Sequence, residues 1–228
     1  MKKTLLFVLF SFWCLLAFAE QPKHEFRATW LATVSGIDWP KTKATSDSKR
    51  DQQKQELINI LDKMKAGNMN AVCMQVRSMS DAMYVSSYEP WSAALTGTRG
   101  KDPGYDPLQF AIDEAHKRGM ELHAWVNPFR VTSEKSTYEA LPETDKLYTA
   151  NTALKGKIVE YSITDKKGQI LDPGYPEVRE HIVKVLMEIV RNYDIDGLLM
   201  DDYFYPSVDA GTKNTFDSGS QALYFTLS

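Results

Sequence analysis

Hydrophobic and polar positions follow two rhythms along this chain. Near-continuous apolar runs at 26–34, 70–77, 120–129 and 196–203 have the length of buried strands. Between the first two, Leu57, Leu61 and Met64 recur at helical spacing and Gly67 ends the pattern. Between the second and third, Asp106-Pro107 opens a helix that carries Leu108, Ile112 and Ala115 on one face and stops at Gly119. Ahead of the fourth run, Val178, Ile182, Val185, Leu186 and Ile189 form the clearest amphipathic stripe in the sequence. Alternation of strand and helix predicts an α/β fold, a parallel sheet covered by helices.

The joints sharpen that expectation. Helix-to-strand connections are tight (Gly67-Asn68-Met69, Arg118-Gly119, Asp194-Ile195), whereas the strand-to-helix segments at 78–105 and 130–172 are long. Short loops at one end of a sheet and long loops at the other describe a (β/α)8 TIM barrel, whose site is built from the loops after the strands. A doubly wound sheet is the alternative. Its glycine-rich phosphate turn is missing after the first strand, where Ser35-Gly36-Ile37-Asp38-Trp39-Pro40 offers one glycine. A whole barrel takes about 250 residues, and only about the first four β/α units are counted by residue 203. Residues 20–206 therefore read as the N-terminal half of a barrel, with 207–228 a divergent or truncated tail. Within the second long loop, 157–163 and 169–171 flank Asp165-Lys166-Lys167-Gly168. That pattern predicts a hairpin over the barrel mouth, with Tyr161 or Tyr138 near the groove.

Residues 1–19 stand apart. Lys2 and Lys3 precede an apolar stretch from Leu5 to Leu16, and Ala17-Phe18-Ala19 supplies a small-x-small cleavage pattern before Glu20. This is the plan of a secretory signal peptide, too short for a membrane span, so export to the periplasm or beyond is expected, with no membrane span afterwards. Bulky Phe12 and Trp13 ahead of Cys14 argue against a lipoprotein reading. Cys73 is then the one cysteine of the exported chain, set in apolar Ala71-Val72-Cys73-Met74 and expected to be a buried thiol. The remaining composition is ordinary for a globular protein: 43% hydrophobic, 25% charged and 11% aromatic. A net charge of −3 with no basic run argues against nucleic acid as a partner.

Candidate chemistry gathers at three strand ends: Gln75-Val76-Arg77, His123 through Arg130, and Asp201-Asp202-Tyr203-Phe204-Tyr205-Pro206. Period-two alternation puts Gly197, Leu199 and Asp201 on one face and Leu198, Met200 and Asp202 on the other. A glycine suits a crowded interior, so Asp201 is assigned to the barrel mouth. The same parity makes His123, Trp125 and Asn127 one inward row, and Gln75 and Arg77 another. An inward carboxylate beside aromatic rings and amide or guanidinium donors is the equipment of glycoside hydrolysis. Asp201 is the catalytic candidate. Arg77 and Asn127 are candidates for sugar hydroxyls, Trp39, Trp125, Tyr203 and Tyr205 for stacking platforms, and Asp202 and His123 for further substrate contacts. Structural readings stand beside these: Asp201 and Asp202 as caps of the following segment paired with Arg77, Arg77 in a purely structural salt bridge, and His123 as a satisfied core histidine. No acid, His or Cys pair has metal-ligand spacing, and no nucleophile elbow is present.

Several of these segments resemble the glycosyl hydrolase-like 10 family: Glu25-Phe26-Arg27-Ala28-Thr29-Trp30, Gln75-Val76-Arg77, Tyr105-Asp106-Pro107-Leu108, His123-Ala124-Trp125-Val126-Asn127-Pro128, Leu171-Asp172-Pro173-Gly174, and Asp196-Gly197 with Asp201 through Pro206. The family includes divisome-localised glycosidases of peptidoglycan. The resemblance implies a catalytic (β/α)8 barrel, export, a glycan substrate and no cofactor. It weakens after Pro206, which places the partner carboxylate on a strand beyond this chain, and Leu199 stands where family members often carry histidine. A glycan-binding protein without catalysis, with the same aromatic mouth, is the competing class.

Overall fold

A computed structural model describes residues 25–135, 139–201, 204–206 and 217–220. Residues 1–24, which include the segment read as a signal peptide, together with Tyr138, Asp202, Tyr203 and most of 207–228, lie outside the described residues. Four strands, β1 (Ala28–Leu31), β2 (Ala71–Arg77), β3 (Glu121–Val126) and β6 (Gly197–Met200), form one parallel sheet in chain order. Between β3 and β6 the hairpin β4 (Ile158–Ile163) and β5 (Lys166–Leu171) forms a separate antiparallel pair. Sequential order with no reversal gives no switch point among these strands, so the doubly wound alternative does not describe them. The strands are shorter than the apolar runs that announced them.

Three helices connect the sheet: α1 (Asp47–Ala66), α2 (Pro107–Lys117) and α3 (Pro176–Asn192). Each starts at a local signal. The Ser46 hydroxyl accepts the Lys49 N–H ahead of α1, and the Asp106 carboxylate accepts the Gln109 N–H ahead of α2. Pro107 and Pro176 occupy the first helical positions, where a missing N–H costs nothing. Leu57 and Leu61 of α1, Leu108, Ile112 and Ala115 of α2, and Ile189 of α3 pack on Leu31, Val72, Met74, Val76, Leu122, Ala124 and Val126. Each fully buried aliphatic side chain contributes about 1.5–3 kcal/mol. A second cluster, Val131, Leu147, Leu154, Leu171, Val178 and Ile182, ties the long loop after β3 to α3.

Strand register decides which residues share a face. His123 stands opposite Gly197 and Trp125 opposite Leu199, so these form the row away from the helices. Gly197 has a steric reason: a Cβ there would lie 2.2 Å from Nδ1 of His123. Trp30 belongs to the same face through its partner Cys73, and its ring meets Trp125 edge-on at 4.7 Å. Cys73 is buried, and burial pushes its thiol pKa up, as an inert structural thiol requires.

The hairpin is present, with its turn two residues earlier than the sequence suggested: Ile163 pairs with Lys166 across Thr164 and Asp165. Thr164 and Asp165 carry positive φ of 45° and 63°, the hand that matches strand twist. Strand β5 continues the backbone pairing of the segment leaving β3, through Leu171 N–H to Phe129 O and Val131 N–H to Gln169 O. Tyr161 is not in a groove. Its ring lies buried over Gly168 and its hydroxyl donates to Glu134 at 2.5 Å, so it holds the hairpin together.

Candidate active site at the carboxyl ends of the strands

The carboxyl ends of the four parallel strands are laced by a chain of polar groups. Gln75, at the end of β2, accepts the backbone N–H groups of Thr33 and Val34 on Oε1 at 2.9 and 2.8 Å. Its Nε2 donates to Oδ1 of Asn127 at 2.5 Å, and Nδ2 of Asn127 donates to the backbone carbonyl of Asp201 at 2.6 Å. The indole N–H of Trp125 reaches the same carbonyl at 3.3 Å. Asp201 thus leaves β6 with its main chain held from two sides. It follows Met200, the last residue of β6, its own N–H donates to the Val126 carbonyl at 3.3 Å, and it is exposed.

Arg77 takes a different place from the one its alternation with Gln75 suggested. The β2–β3 register slips between these two residues, so Arg77 stands opposite Val126, a member of the helix-facing row. There it is fully buried and bonded to Glu89 through Nε at 2.8 Å and Nη2 at 2.6 Å. Nη1 donates to the carbonyls of Asn127 and Pro128, and Nη2 also to the Ser80 hydroxyl. The guanidinium is saturated, so Arg77 forms a structural salt bridge, with Glu89 as its carboxylate in place of the expected Asp201 or Asp202, and is not placed for sugar contacts. Burial opposes ionisation of Glu89, but Arg77 and His181 outweigh it and hold the carboxyl down at about 2. His181 of α3 joins this cluster, 3.1 Å from Glu89 and 3.2 Å from the Asn151 amide oxygen.

Three further expectations change. Trp39 has 0% exposure and its indole N–H donates to the Gln53 carbonyl, so it is core and not a platform. Asn127 is 1% exposed, and its amide bridges Gln75 and the Asp201 carbonyl, so it braces the strand ends instead of facing a sugar hydroxyl. His123 lies opposite the first residue of β6, four residues and about 13 Å of strand before Asn127. There it pairs with Glu121 at 2.8 Å and packs on Phe26, away from the strand ends. Trp125 keeps its place on the open face, half-exposed. Tyr205 is 50% exposed and its hydroxyl donates to Asp217, while Asp202 and Tyr203 lie outside the described residues. Burial and the bond to Asp217 raise the Tyr205 phenol pKa.

Comparison with known proteins supplies the family. The model of the glycosyl hydrolase-like 10 family matches residues 25–224. This chain belongs to that family. Its match continues past Pro206 into the segment read from the sequence as a tail. Among curated relatives, glycosyl hydrolase YngK of Bacillus subtilis is 45% identical over 195 residues, covering 85% of this chain and 36% of its own length. Glycosyl hydrolase DigH of Escherichia coli K12 is 39% identical, covering 83% of this chain and 44% of its own. The chain therefore spans less than half of either relative. A crystal structure of a GH20 exo-β-N-acetylglucosaminidase from Vibrio harveyi aligns with 91% of this chain and 31% of that one, at a TM-score of 0.54 and 13% identity. That likeness concerns the fold, which is TIM-barrel-like in such neighbours.

In this glycosyl hydrolase-like 10 chain a cleft of about 430 Å³ opens between the loops after β2 and β3, lined by Met79, Arg99, Val131, Thr132, Lys135 and Leu141 among others. Arg99 is occupied there by Asp145 and the carbonyls of Met79 and Ser80. Among the described residues no group of three or more acidic, His or Cys side chains could hold a metal ion. Nor is any described helix long and apolar enough to cross a membrane. Sequence reasoning missed Glu89, His181 and Asn151, and no local signal marks them, since Glu89 and His181 meet across 92 positions.

Proposed function

We propose that this chain is the N-terminal half of the catalytic (β/α)8 barrel of an exported glycoside hydrolase. It cleaves O-glycosyl bonds in a bacterial cell-wall glycan or another polysaccharide, with Asp201 as nucleophile or electrostatic stabiliser. One observation carries the reading: Asp201 is delivered to the carboxyl end of β6 by main-chain bonds from Asn127 and Trp125, beside the paired rings of Trp125 and Trp30. Glycosidases place a fixed carboxylate against the oxocarbenium-like centre and stack aromatic faces on the sugar. Trp125 and Tyr205 supply those faces in this reading, joined by Tyr203, with Asp202 contributing a substrate contact. The acid/base carboxylate comes from a later strand of the complete barrel.

The experiment is turnover of dye-labelled peptidoglycan, α-glucan and β-glucan by the full-length protein and its Asp201→Asn variant. The expected result is hydrolysis of one polymer by the parent and a loss of several orders of magnitude in kcat, with binding retained. Binding of a glycan by the parent without hydrolysis would favour the glycan-binding class instead. Full activity in the variant would remove Asp201 from the chemistry.

A further inference from the structure

We propose that Gln75 is a positioning residue for the Asp201 carboxylate, acting through Asn127. The inference rests on the catalytic reading of Asp201 but assigns a role to a residue that never meets substrate. Gln75 is 2% exposed, and every polar atom of its side chain is committed. Two backbone donors, the N–H groups of Thr33 and Val34, converge on one end of its amide, and only an oxygen satisfies both. That fixes the amide orientation. Nε2 must then face Asn127, which must turn Oδ1 toward it, and Nδ2 of Asn127 is left aimed at the Asp201 carbonyl.

The order of donors thus runs one way, from the loop after β1 to the end of β6, across all four parallel strands. Asn127 alone lacks this property. With a free amide it has two orientations of similar energy, and one of them presents oxygen to the Asp201 carbonyl. Gln75 removes that second orientation. Its backbone carbonyl also accepts the Thr33 hydroxyl at 2.8 Å, so the side chain projects from an anchored main chain. Displacing a reacting group by about 1 Å costs on the order of 10²-fold in rate, which is the scale on which such a relay acts.

The test uses the full-length protein on solubilised peptidoglycan, or on whichever glucan it hydrolyses. Gln75→Glu keeps the acceptor for Thr33 and Val34 and changes only the group facing Asn127. When protonated, the introduced carboxyl donates to Oδ1 of Asn127 as the amide does. When ionised, it drives the Asn127 amide to the wrong orientation. The charged residues bonded around this network, Asp38 through the Ala32 N–H, Arg77 through the Asn127 carbonyl and Asp201 through its own carbonyl, are common to parent and variant. The expected result is a new alkaline limb in the pH profile of kcat, with kcat 10- to 100-fold below the parent at high pH and KM within about threefold. Gln75→Met should lose kcat at all pH values, and in an Asn127→Ala background it should cost nothing further. If Gln75→Met does not fold, the pH profile of Gln75→Glu decides alone. A parent-like profile for Gln75→Glu, or losses that simply add in the double variant, would overturn the proposal. Undiminished turnover by Asp201→Asn would instead overturn the catalytic reading beneath it.

Discussion

Glu89→Gln is the most direct probe of the buried pair that braces the exit of β2. Both partners have 0% side-chain exposure, so solvent screening does not discount their interaction. The Glu89 carboxyl falls from 4.5 to about 2 in the folded protein. At about 1.4 kcal/mol per pKa unit, that depression contributes about 3 kcal/mol of stability at neutral pH. The contribution is complete above the unfolded-state value and disappears as pH falls toward the folded value. About two of those three kcal/mol are therefore gone by pH 3. Removing the charge leaves the Arg77 guanidinium buried without its counterion, which costs about 3–5 kcal/mol when one partner is lost. Urea unfolding followed by tryptophan fluorescence reads both quantities, because buried Trp39 reports on the core. The variant should be about 3 kcal/mol less stable at pH 7, and the gap should narrow between pH 5 and pH 3. Carboxylates elsewhere titrate in both proteins and cancel in the difference. A gap below about 1 kcal/mol at pH 7, or one unchanged down to pH 3, would refute the reasoning.

Two other substitutions test the corrected placements. Trp39→Ala should cost about 3–5 kcal/mol in chemical denaturation while leaving glycan affinity of the folded protein unchanged, whereas a platform would lose affinity at little cost in stability. Gly197→Ala sets a methyl group against the His123 ring and should lower stability by about 1–3 kcal/mol, recovered in part by His123→Ala; an unaltered melting temperature for Gly197→Ala would show that the two strands are not this close.

The elements with local causes were legible in the sequence. The apolar runs, the glycine stops, the Asp106-Pro107 helix start and the asymmetry of loop lengths all act within a few residues. They predicted the parallel α/β sheet, its three helices and the hairpin, and the period of two put Leu199 in the row of Trp125. The motif run from Glu25 to Pro206 carried the family as well.

What tertiary structure alone decided concerns residues whose role depends on a distant partner. Alternation places Arg77 beside Gln75, but a register slip between strands joined by a long loop turns it to the helix layer and to Glu89. An aromatic residue in a Pro/Gly-rich loop reads as exposed, yet Trp39 is buried because α1 offers the Gln53 carbonyl to its indole. Asn127 carries the same side chain whether it binds a sugar or a backbone carbonyl. Only the approach of β6 from 74 positions away distinguishes the two. Period and capping are properties of neighbours in the chain, and sequence records them. Satisfaction of a buried polar group is a property of neighbours in space, and the fold decides it.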